Sequence, residues 1–423
     1  MNESAEIICI GTELLLGDIL NSNAQFLAQQ LAQLGIPHYY QTVVGDNPLR
    51  IKRAVAIACE RSRLLLFTGG LGPTPDDLTH ETLADFFDVP LQEQADVLKD
   101  IQHKFAQRGR TMTENNRKQA QIPQTAQVLS NSVGSAPGII WQPRSGLTLM
   151  TFPGVPREMQ TMWREIAVPY LQANGWVQTV IHSRTLRFWG VSESALAEKV
   201  SPFLESDNPT VAPYASKGEV KLRISAKAAS KELAHQLIQP IEAELREIGG
   251  SDCYGANEDT LASVVGDLLR TRQATLGVAE SCTGGGLGSL LTSVSGSSEY
   301  FLGGVISYDN RVKVNALGVR EQDLMEQGAV SDIVAKQMAV GVKTKLGVDW
   351  GLSITGIAGP GGGTATKPVG LVYIGLASPD QPPQSFVYHF GNSRGRDWIR
   401  HVSACSALDA LRRELLKSPE RPT

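Results

Sequence analysis

The sequence predicts an α/β protein, with two parallel or mixed sheet domains joined by a small α+β domain. In both the first and the last third of the chain, apolar strand-length segments alternate with amphipathic helical patterns. The stretch between them has a different pattern, and the length of 423 residues suits several domains. We therefore place the domains at residues 1–171, 172–255 and 256–423.

The first domain opens with the strand-like run IICIG, followed by the helical pattern AQFLAQQLAQLG. The alternation continues with HYYQTVVGD as a strand, RIKRAVAIACE as a helix and RLLLFTGG as a strand. Because a helix between two strands returns the chain to the same end of the sheet, this order favours parallel pairing.

The middle segment combines the strand VKLRISAK with the helix KELAHQLIQPIEAELREIG, which we expect Pro240 to kink or split. Turn-forming residues mark joints near 172–176 and 251–259. The last domain begins with the helix LASVVGDLLRTR and continues with the strands TLGVAE, FLGGVISY, WGLSITGIAG and VGLVYIGLA.

Composition excludes several classes of protein. The formal net charge of −4 gives no overall attraction to nucleic acid or to an anionic membrane, and no apolar run approaches the roughly 20 residues that span a bilayer. The opening MNESAE lacks the basic-then-apolar pattern of a secretory signal. The five cysteines form no CxxC motif. We expect a cytoplasmic protein with reduced thiols and small-molecule ligands.

The segment AESCTGGGLGS is the strongest local signal, because a strand ends there and a small-residue turn opens a helix. Ser281 at the helix N-terminus would find backbone N–H groups and a positive dipole for a developing oxyanion. Glycines 284–286 permit close approach of a substrate. The alternatives are that Ser281 or Thr283 caps the helix, or that the neighbouring Cys282 is the nucleophile.

A possible activating group follows in GVISYDNRVKVNALG. Tyr308 lies at the end of a predicted strand and Lys313 in the following helix. A desolvated lysine can be neutral enough to take a proton from serine, with a tyrosine hydroxyl relaying it. The alternative is an ordinary surface lysine on an amphipathic helix.

Two further segments favour an anionic ligand. Strand 352–355 runs through Thr355 into a glycine loop that includes Gly359 and Gly361, whose N–H groups can hold a phosphate or amide oxygen. At the start of the last helix lie Arg394, Arg396 and Arg400. Arginines at a helix N-terminus oppose the dipole, so they favour a phosphate ligand over helix stability.

The first domain has its own candidate site in FTGGLGPTPDDLT, where a glycine turn at a strand end precedes two acids. A nest of N–H groups with carboxylates suggests a phosphate ester with a divalent cation, although acids also favour helix starts. The candidate nucleotide-binding residues, all near predicted strand ends, are Gly69, Gly70, Gly72, Thr74, Asp76, Asn116, Arg117, Gly154 and Glu158.

The motifs AESCTGG, GGVISYDNRVK, ITGIAGPGGG and GNSRGRDWIR occur in order over about residues 256–416. This segment resembles the C-terminal domain of the CinA (competence/damage-inducible protein A) family and is similar to nicotinamide-nucleotide amidohydrolases. The resemblance implies deamidation of nicotinamide mononucleotide without a cofactor, in pyridine nucleotide salvage. Ser281 would be the nucleophile, activated by Tyr308 and Lys313 beside Thr355. The substrate would be held by Thr283, Gly284, Gly285, Gly359, Gly361, Arg394, Arg396 and Arg400.

GTELLLGDILNSN and TGGLGPTPDDLT resemble the N-terminal CinA domain, similar to the molybdopterin-binding fold, over about residues 4–170. In that family the domain acts as a metal-dependent ADP-ribose pyrophosphatase, which implies a divalent ion held by Asp77, Glu13 and Asp18. The middle segment corresponds to a KH-type domain, but it contains no GxxG loop, which argues against RNA binding.

The resemblance together with the middle segment favours a homodimer. The alternative to an enzyme is a non-catalytic nucleotide- or molybdopterin-binding protein associated with competence.

Overall fold

The computed structural model describes residues 4–177 and 179–417. The described chain forms two compact units. One comprises the residues up to His182 together with Ala226–Gln236, and the other comprises Ser183–Ser225 and the residues from Leu237 onward. Among the described residues, no helix combines the length and hydrophobicity that crossing a membrane requires.

The first unit is built on a six-stranded sheet of order β2-β1-β3-β8-β7-β6. Its strands, with the separate ribbon of β4 and β5, are β1 (Ala5–Ile10), β2 (His38–Val44), β3 (Leu64–Thr68), β4 (Leu91–Glu93), β5 (Gln121–Pro123), β6 (Gln127–Leu129), β7 (Gly138–Arg144) and β8 (Leu147–Phe152). Strands β2, β1, β3 and β8 are parallel. The sheet is nevertheless mixed, because β7 returns against β8 through a short hairpin and β6 against β7.

Helices cover both faces of this sheet. They are α1 (Thr12–Leu16), α2 (Ser22–Gln33), α3 (Pro48–Arg61), α4 (Thr79–Phe86), α5 (Ala95–Gln107), α6 (Pro156–Met162) and α7 (Val168–Ala173). Alternate residues of β1 bury on opposite faces, Ile7 in the cluster with Leu27 of α2 and Ile8 in the cluster with Val55 of α3. This two-sided burial explains why the predicted strands are continuously apolar.

The middle segment forms a four-stranded sheet of order β10-β11-β9-β12. Its elements are β9 (Val180–Trp189), α8 (Glu193–Lys199), α9 (Ser201–Leu204), β10 (Thr210–Ser216), β11 (Glu219–Ala228), α10 (Lys231–Gly249) and β12 (Cys253–Ala256). Of the two expected effects of Pro240, a kink or a split, the split is wrong, since α10 continues through Pro240.

The remaining elements form a five-stranded sheet of order β14-β13-β15-β16-β17 with helices on both faces. They are α11 (Leu261–Thr271), β13 (Leu276–Glu280), α12 (Gly286–Thr292), β14 (Phe301–Ile306), α13 (Asn310–Leu317), α14 (Glu321–Gln327), α15 (Asp332–Leu346), β15 (Trp350–Gly356), β16 (Leu371–Ala377), β17 (Gln384–His389) and α16 (Gly395–Lys417). Strand β13 is parallel to both neighbours, and β16 and β17 return antiparallel. The carboxyl ends of β13, β14 and β15 therefore meet at one edge of the sheet.

Candidate functional sites

Ser281 follows the central strand β13 directly. Its backbone N–H donates to Ile354 O at 2.9 Å, which ties the residue to the neighbouring strand β15. The side chain is nearly buried, with 8% of the residue exposed. Because β13 lies between two parallel partners, the loops that follow β14 and β15 both pass beside this serine.

Lys313 contacts the serine hydroxyl from helix α13. Its Nζ donates to Ser281 Oγ at 3.1 Å, to Ser307 O at 2.6 Å and to Tyr308 O at 3.3 Å. Only 1% of the lysine is exposed, and desolvation by burial lowers the pKa of its amine. Burial favours the neutral form of this amine, and the two carbonyls hold it against Ser281 Oγ, where a neutral amine can accept the serine proton.

The N-terminus of α12 is occupied by Glu280, contrary to the expectation that it would serve an oxyanion. Glu280 Oε2 accepts from the N–H groups of Gly285 and Leu287, both at 3.0 Å, and Oε1 accepts from Gly288 N at 2.8 Å. The helix begins only at Gly286, five residues after Ser281. A protein carboxylate therefore neutralises the orphan donors of this short helix.

Among the hydrogen bonds of the described residues, the hydroxyl of Tyr308 contacts neither Ser281 nor Lys313, so it does not form the expected proton relay there. Its hydroxyl accepts from Arg396 Nη2 at 3.1 Å, and 61% of the residue is exposed. Its backbone carbonyl is the part that contacts the amine of Lys313. The tyrosine lies just beyond the end of β14, and the strand stops earlier than the sequence pattern indicates.

Two of the predicted arginines connect the loops around Ser281. Arg396 Nη1 donates to Gly359 O at 2.6 Å, in the glycine loop after β15. Arg400 Nη2 donates to Thr283 O at 2.9 Å, in the turn after β13. The guanidinium of Arg394 stands 5.1 Å from the ring centre of Trp398. Because Arg396 and Arg400 both lie near the N-terminal end of α16, this helix holds both loops at the edge of the sheet.

The glycine loop borders an open cavity of about 540 Å³ beside β16. Gly361 lines it, whereas Gly359 lies at the end that Arg396 contacts. Gly284 and Gly285 form the turn after Ser281 with φ values of 59° and 96°, which explains why glycine is needed there.

Three other side chains near Ser281 are buried. Thr355 is fully buried, and its hydroxyl donates to Ala329 O at 2.8 Å. The hydroxyl of Thr283 is buried without a hydrogen-bond partner among the described residues. Cys282 is buried, and desolvation raises the pKa of its thiol to about 12. A thiol that resists ionisation is a poor nucleophile, so Ser281 is the better candidate.

A second cluster lies in the first unit, where a cavity of about 460 Å³ opens at the carboxyl ends of β1, β3 and β8. Of the residues predicted for the nucleotide and metal sites, it brings together Glu13, Gly69, Gly70, Gly72, Asp76, Asp77, Gly154 and Glu158. Asp46 also lines it, but no lysine, arginine or histidine is among the lining residues. A phosphate ligand in this cavity would need a cation to offset five carboxylates.

Four predicted residues do not line this cavity: Asp18, Thr74, Asn116 and Arg117. Arg117 forms a two-pronged ion pair with Glu93, including an Nη2–Oε1 contact of 3.0 Å, beside the β4–β5 ribbon. Asn116 is buried and donates to Gln119, which does line the cavity. Sequence position next to a strand end was therefore insufficient to place them.

Asp76 and Asp77 precede α4, which begins at Thr79. The Oδ2 atom of Asp77 accepts from the backbone N–H of Thr74 at 2.9 Å, so it shapes the turn. The hydrogen bond of Asp76 with Thr74 lowers the pKa of its exposed carboxyl.

Whether this cavity can hold a divalent ion depends on the metal-ligating side chains in its wall. Within the described ranges, no three His, Cys, Asp or Glu side chains form a metal-binding group. Magnesium commonly takes only one or two protein carboxylates and completes its shell with phosphate oxygens and water. Glu13 and Asp77 have suitable donor chemistry at the cavity wall, whereas Asp18 does not line it.

Sequence reasoning missed Glu280, Ser307 and Asn23. A carboxylate before a glycine turn that opens a helix was the available signal for Glu280. Ser307 contributes a backbone carbonyl, which has no side-chain signature. Asn23 donates to Gly154 O at 2.8 Å, and its buried Oδ1 lacks a partner within the described chain.

Comparison with known proteins is consistent with this architecture. Residues 6–173 match the family model described as a probable molybdopterin binding domain, residues 183–255 match the damage-inducible protein CinA KH domain, and residues 258–415 match the CinA C-terminal domain. The chain is thus a multidomain α/β protein in which a KH-like domain joins a molybdopterin-binding-like domain to a second α/β domain.

The chain belongs to the CinA family. A CinA-like protein of Cyanothece sp. is 68% identical over 416 residues, covering 98% of this chain and 99% of that protein. Another from Nostoc punctiforme is 68% identical, covering 98% and 99% respectively. A crystal structure of CinA from Thermoplasma acidophilum is 34% identical and covers 40% of this chain and 97% of that chain, with a TM-score of 0.37.

Proposed function

We propose that this protein hydrolyses the amide of nicotinamide mononucleotide to nicotinate mononucleotide and ammonia, with Ser281 as nucleophile. The observation that carries the proposal is the 3.1 Å contact between Lys313 Nζ and Ser281 Oγ, made by a buried amine of lowered pKa. The motif resemblance at both residues supports the same reaction.

In the proposed mechanism, neutral Lys313 takes the proton of Ser281 while the hydroxyl oxygen bonds to the carboxamide carbon. The tetrahedral intermediate then collapses as the C–N bond breaks, and the lysine ammonium returns the proton so that ammonia leaves. Water, deprotonated by the same amine, attacks the acyl-enzyme ester and releases the carboxylate and Ser281. The cycle consumes one water and needs no cofactor.

The substrate phosphate suits the edge of the sheet where the glycine loop meets α16. Arg394 lies there without an acidic partner among its described contacts, and a guanidinium holds phosphate well. Arg396 and Arg400 would act mainly by positioning the loops, because backbone carbonyls already use them. Thr283, Gly284, Gly285, Gly359 and Gly361 would line the path, with Thr355 supporting the loop.

A second activity is proposed for the first unit, hydrolysis of ADP-ribose with a divalent ion. The observation that favours it is the cavity with five carboxylates and no basic side chain among its lining residues. Asp77 and Glu13 would hold the ion, which would offset the pyrophosphate charge. Within a cytoplasmic homodimer, the two activities would both process fragments of pyridine dinucleotides.

The test is ammonia release from nicotinamide mononucleotide by the purified chain, with and without a chelator. We expect chelator-resistant release that Ser281→Ala abolishes. Ser403→Ala is the matched control, because it removes another buried hydroxyl, one that donates to Ile399 O within α16. It should retain activity.

No release by folded wild-type protein would refute the deamidase. That result would favour the alternative, a non-catalytic protein that binds nucleotides or molybdopterin. Titration with ADP-ribose would then measure ligand binding directly.

A further inference from the structure

We infer that Glu280 is a positioning residue of the serine site, through the hydrogen bonds that its carboxylate accepts at the start of α12. The inference rests on the proposed function for its kinetic readout. It concerns a residue that contacts neither Ser281 Oγ nor Lys313 Nζ through its carboxylate in the described hydrogen bonds.

The buried carboxylate of Glu280 accepts hydrogen bonds from the backbone of the turn that follows Ser281. Its two oxygens accept three backbone N–H groups, from Gly285, Leu287 and Gly288, at 2.8–3.0 Å. Only 2% of the residue is exposed. Buried carboxylates are stable when hydrogen bonds satisfy them, and here the donors also carry the positive end of the helix. The side chain that precedes Ser281 therefore holds the far end of the Ser281–Gly285 turn and the first turn of α12.

The backbone of the same residue joins this turn to the lysine. Glu280 O accepts from Ser307 N at 2.7 Å, and Ser307 O in turn accepts from Lys313 Nζ at 2.6 Å. Glu280 thus links helix α12, the nucleophile that follows it and the carbonyl that orients the base. A small rotation of the turn would change the distance between Ser281 Oγ and Lys313 Nζ.

The carboxylate of Glu280 at the start of α12 also affects where the substrate phosphate can bind. An internal carboxylate repels an incoming phosphate and leaves it none of the three amides. The substrate anion should therefore bind away from the α12 turn, unlike phosphates in glycine loops whose helix amides are free.

The experiment compares Glu280→Gln with wild type in the full chain. Glutamine keeps the shape but has one acceptor oxygen, so its NH₂ group must face an N–H donor. Asp259→Asn is the matched control, because Asp259 accepts Ala256 N at 2.7 Å ahead of α11, outside the serine site. Four quantities are measured: kcat and KM for nicotinamide mononucleotide, the labelling rate of Ser281 by a fluorophosphonate, and the fraction of labelled sites at completion.

For Glu280→Gln we expect a fall in kcat of about 10–100-fold, with KM within about twofold, a parallel fall in labelling rate and full labelling at completion. Asp259→Asn should match wild type. A lower labelled fraction with normal kcat per labelled site would show a purely structural role and overturn the inference. A fall in KM at unchanged kcat would assign the α12 turn to the substrate anion, which also overturns it.

Failure of the proposed function gives a different result. If wild type releases no ammonia but Ser281 is labelled, the labelling rates alone decide the role of Glu280, and equal rates in both proteins overturn it. If wild-type Ser281 is not labelled, the result overturns both the assignment of Ser281 as the nucleophile and the positioning role of Glu280.

Discussion

Replacing Lys313 by methionine should stop deamidation and change how stability depends on pH. Methionine has a similar length but no proton to exchange, so Ser281 would lose its base. Loss of general-base assistance costs about 10²–10⁴-fold in rate. The fall should appear in kcat and in fluorophosphonate labelling alike, since both require the serine oxygen to be activated.

The pH dependence of stability follows from the lowered pKa of the buried amine. An unfolded lysine has a pKa near 10.4, so between the folded and unfolded values the unfolded chain holds the extra proton. The free energy of unfolding therefore rises with pH across that window, by about 1.4 kcal/mol per pH unit for one proton. At pH values below the window, the buried amine keeps the free energy of unfolding lower. Lys313→Met should lack this slope.

The assay is urea unfolding of the full chain from pH 7 to pH 10, followed by tryptophan fluorescence, for wild type, Lys313→Met and Lys336→Met. Lys336 is the control because it forms a partly exposed ion pair with Asp332 at 2.8 Å. Wild type and Lys336→Met should show the same slope. Equal slopes in all three proteins, or normal kcat in Lys313→Met, would refute the assignment of Lys313 as a desolvated base.

Three further outcomes are expected. Cys282→Ala should keep at least about half of wild-type kcat, because a buried thiol with a pKa near 12 contributes no thiolate at neutral pH. Loss of the fluorophosphonate labelling of Ser281 in this variant would contradict that expectation. Arg396→Met should lower kcat/KM by about tenfold through the freed glycine loop, and unchanged kinetics would show that the loop holds itself. Asp77→Asn should slow metal-dependent ADP-ribose hydrolysis by about 10²-fold or more and spare deamidation, whereas Arg117→Met should spare both; equal loss in the two variants would move the metal site.

The proposed deamidation should also have a characteristic pH profile. The amine must be neutral to act, so kcat should rise as pH passes upward through the pKa of Lys313, which burial lowers. Asp309 raises that pKa, so Asp309→Asn should shift the rising limb to lower pH. A shift to higher pH, measured from initial rates of ammonia release, would show that another group controls the limb.

The sequence by itself determined the two α/β domains and the pairing of strands with helices, because each strand is apolar along its length and each helix carries one apolar face. It also named Ser281 as a nucleophile and Lys313 as its activating group, on the chemistry of a desolvated lysine and on the resemblance of the motifs. The structure brings the two side chains together, with Lys313 Nζ 3.1 Å from Ser281 Oγ.

Only the tertiary structure decided how these groups are used. Glu280 reaches the α12 amides, the hydroxyl of Tyr308 contacts Arg396 while only its backbone carbonyl contacts the lysine amine, and Arg117 pairs with Glu93 instead of facing the cavity. Side-chain direction and the choice among competing partners depend on atoms distant in sequence. A local pattern can name a charged residue, but the partner that satisfies the charge, and hence its availability to a ligand, is fixed by packing.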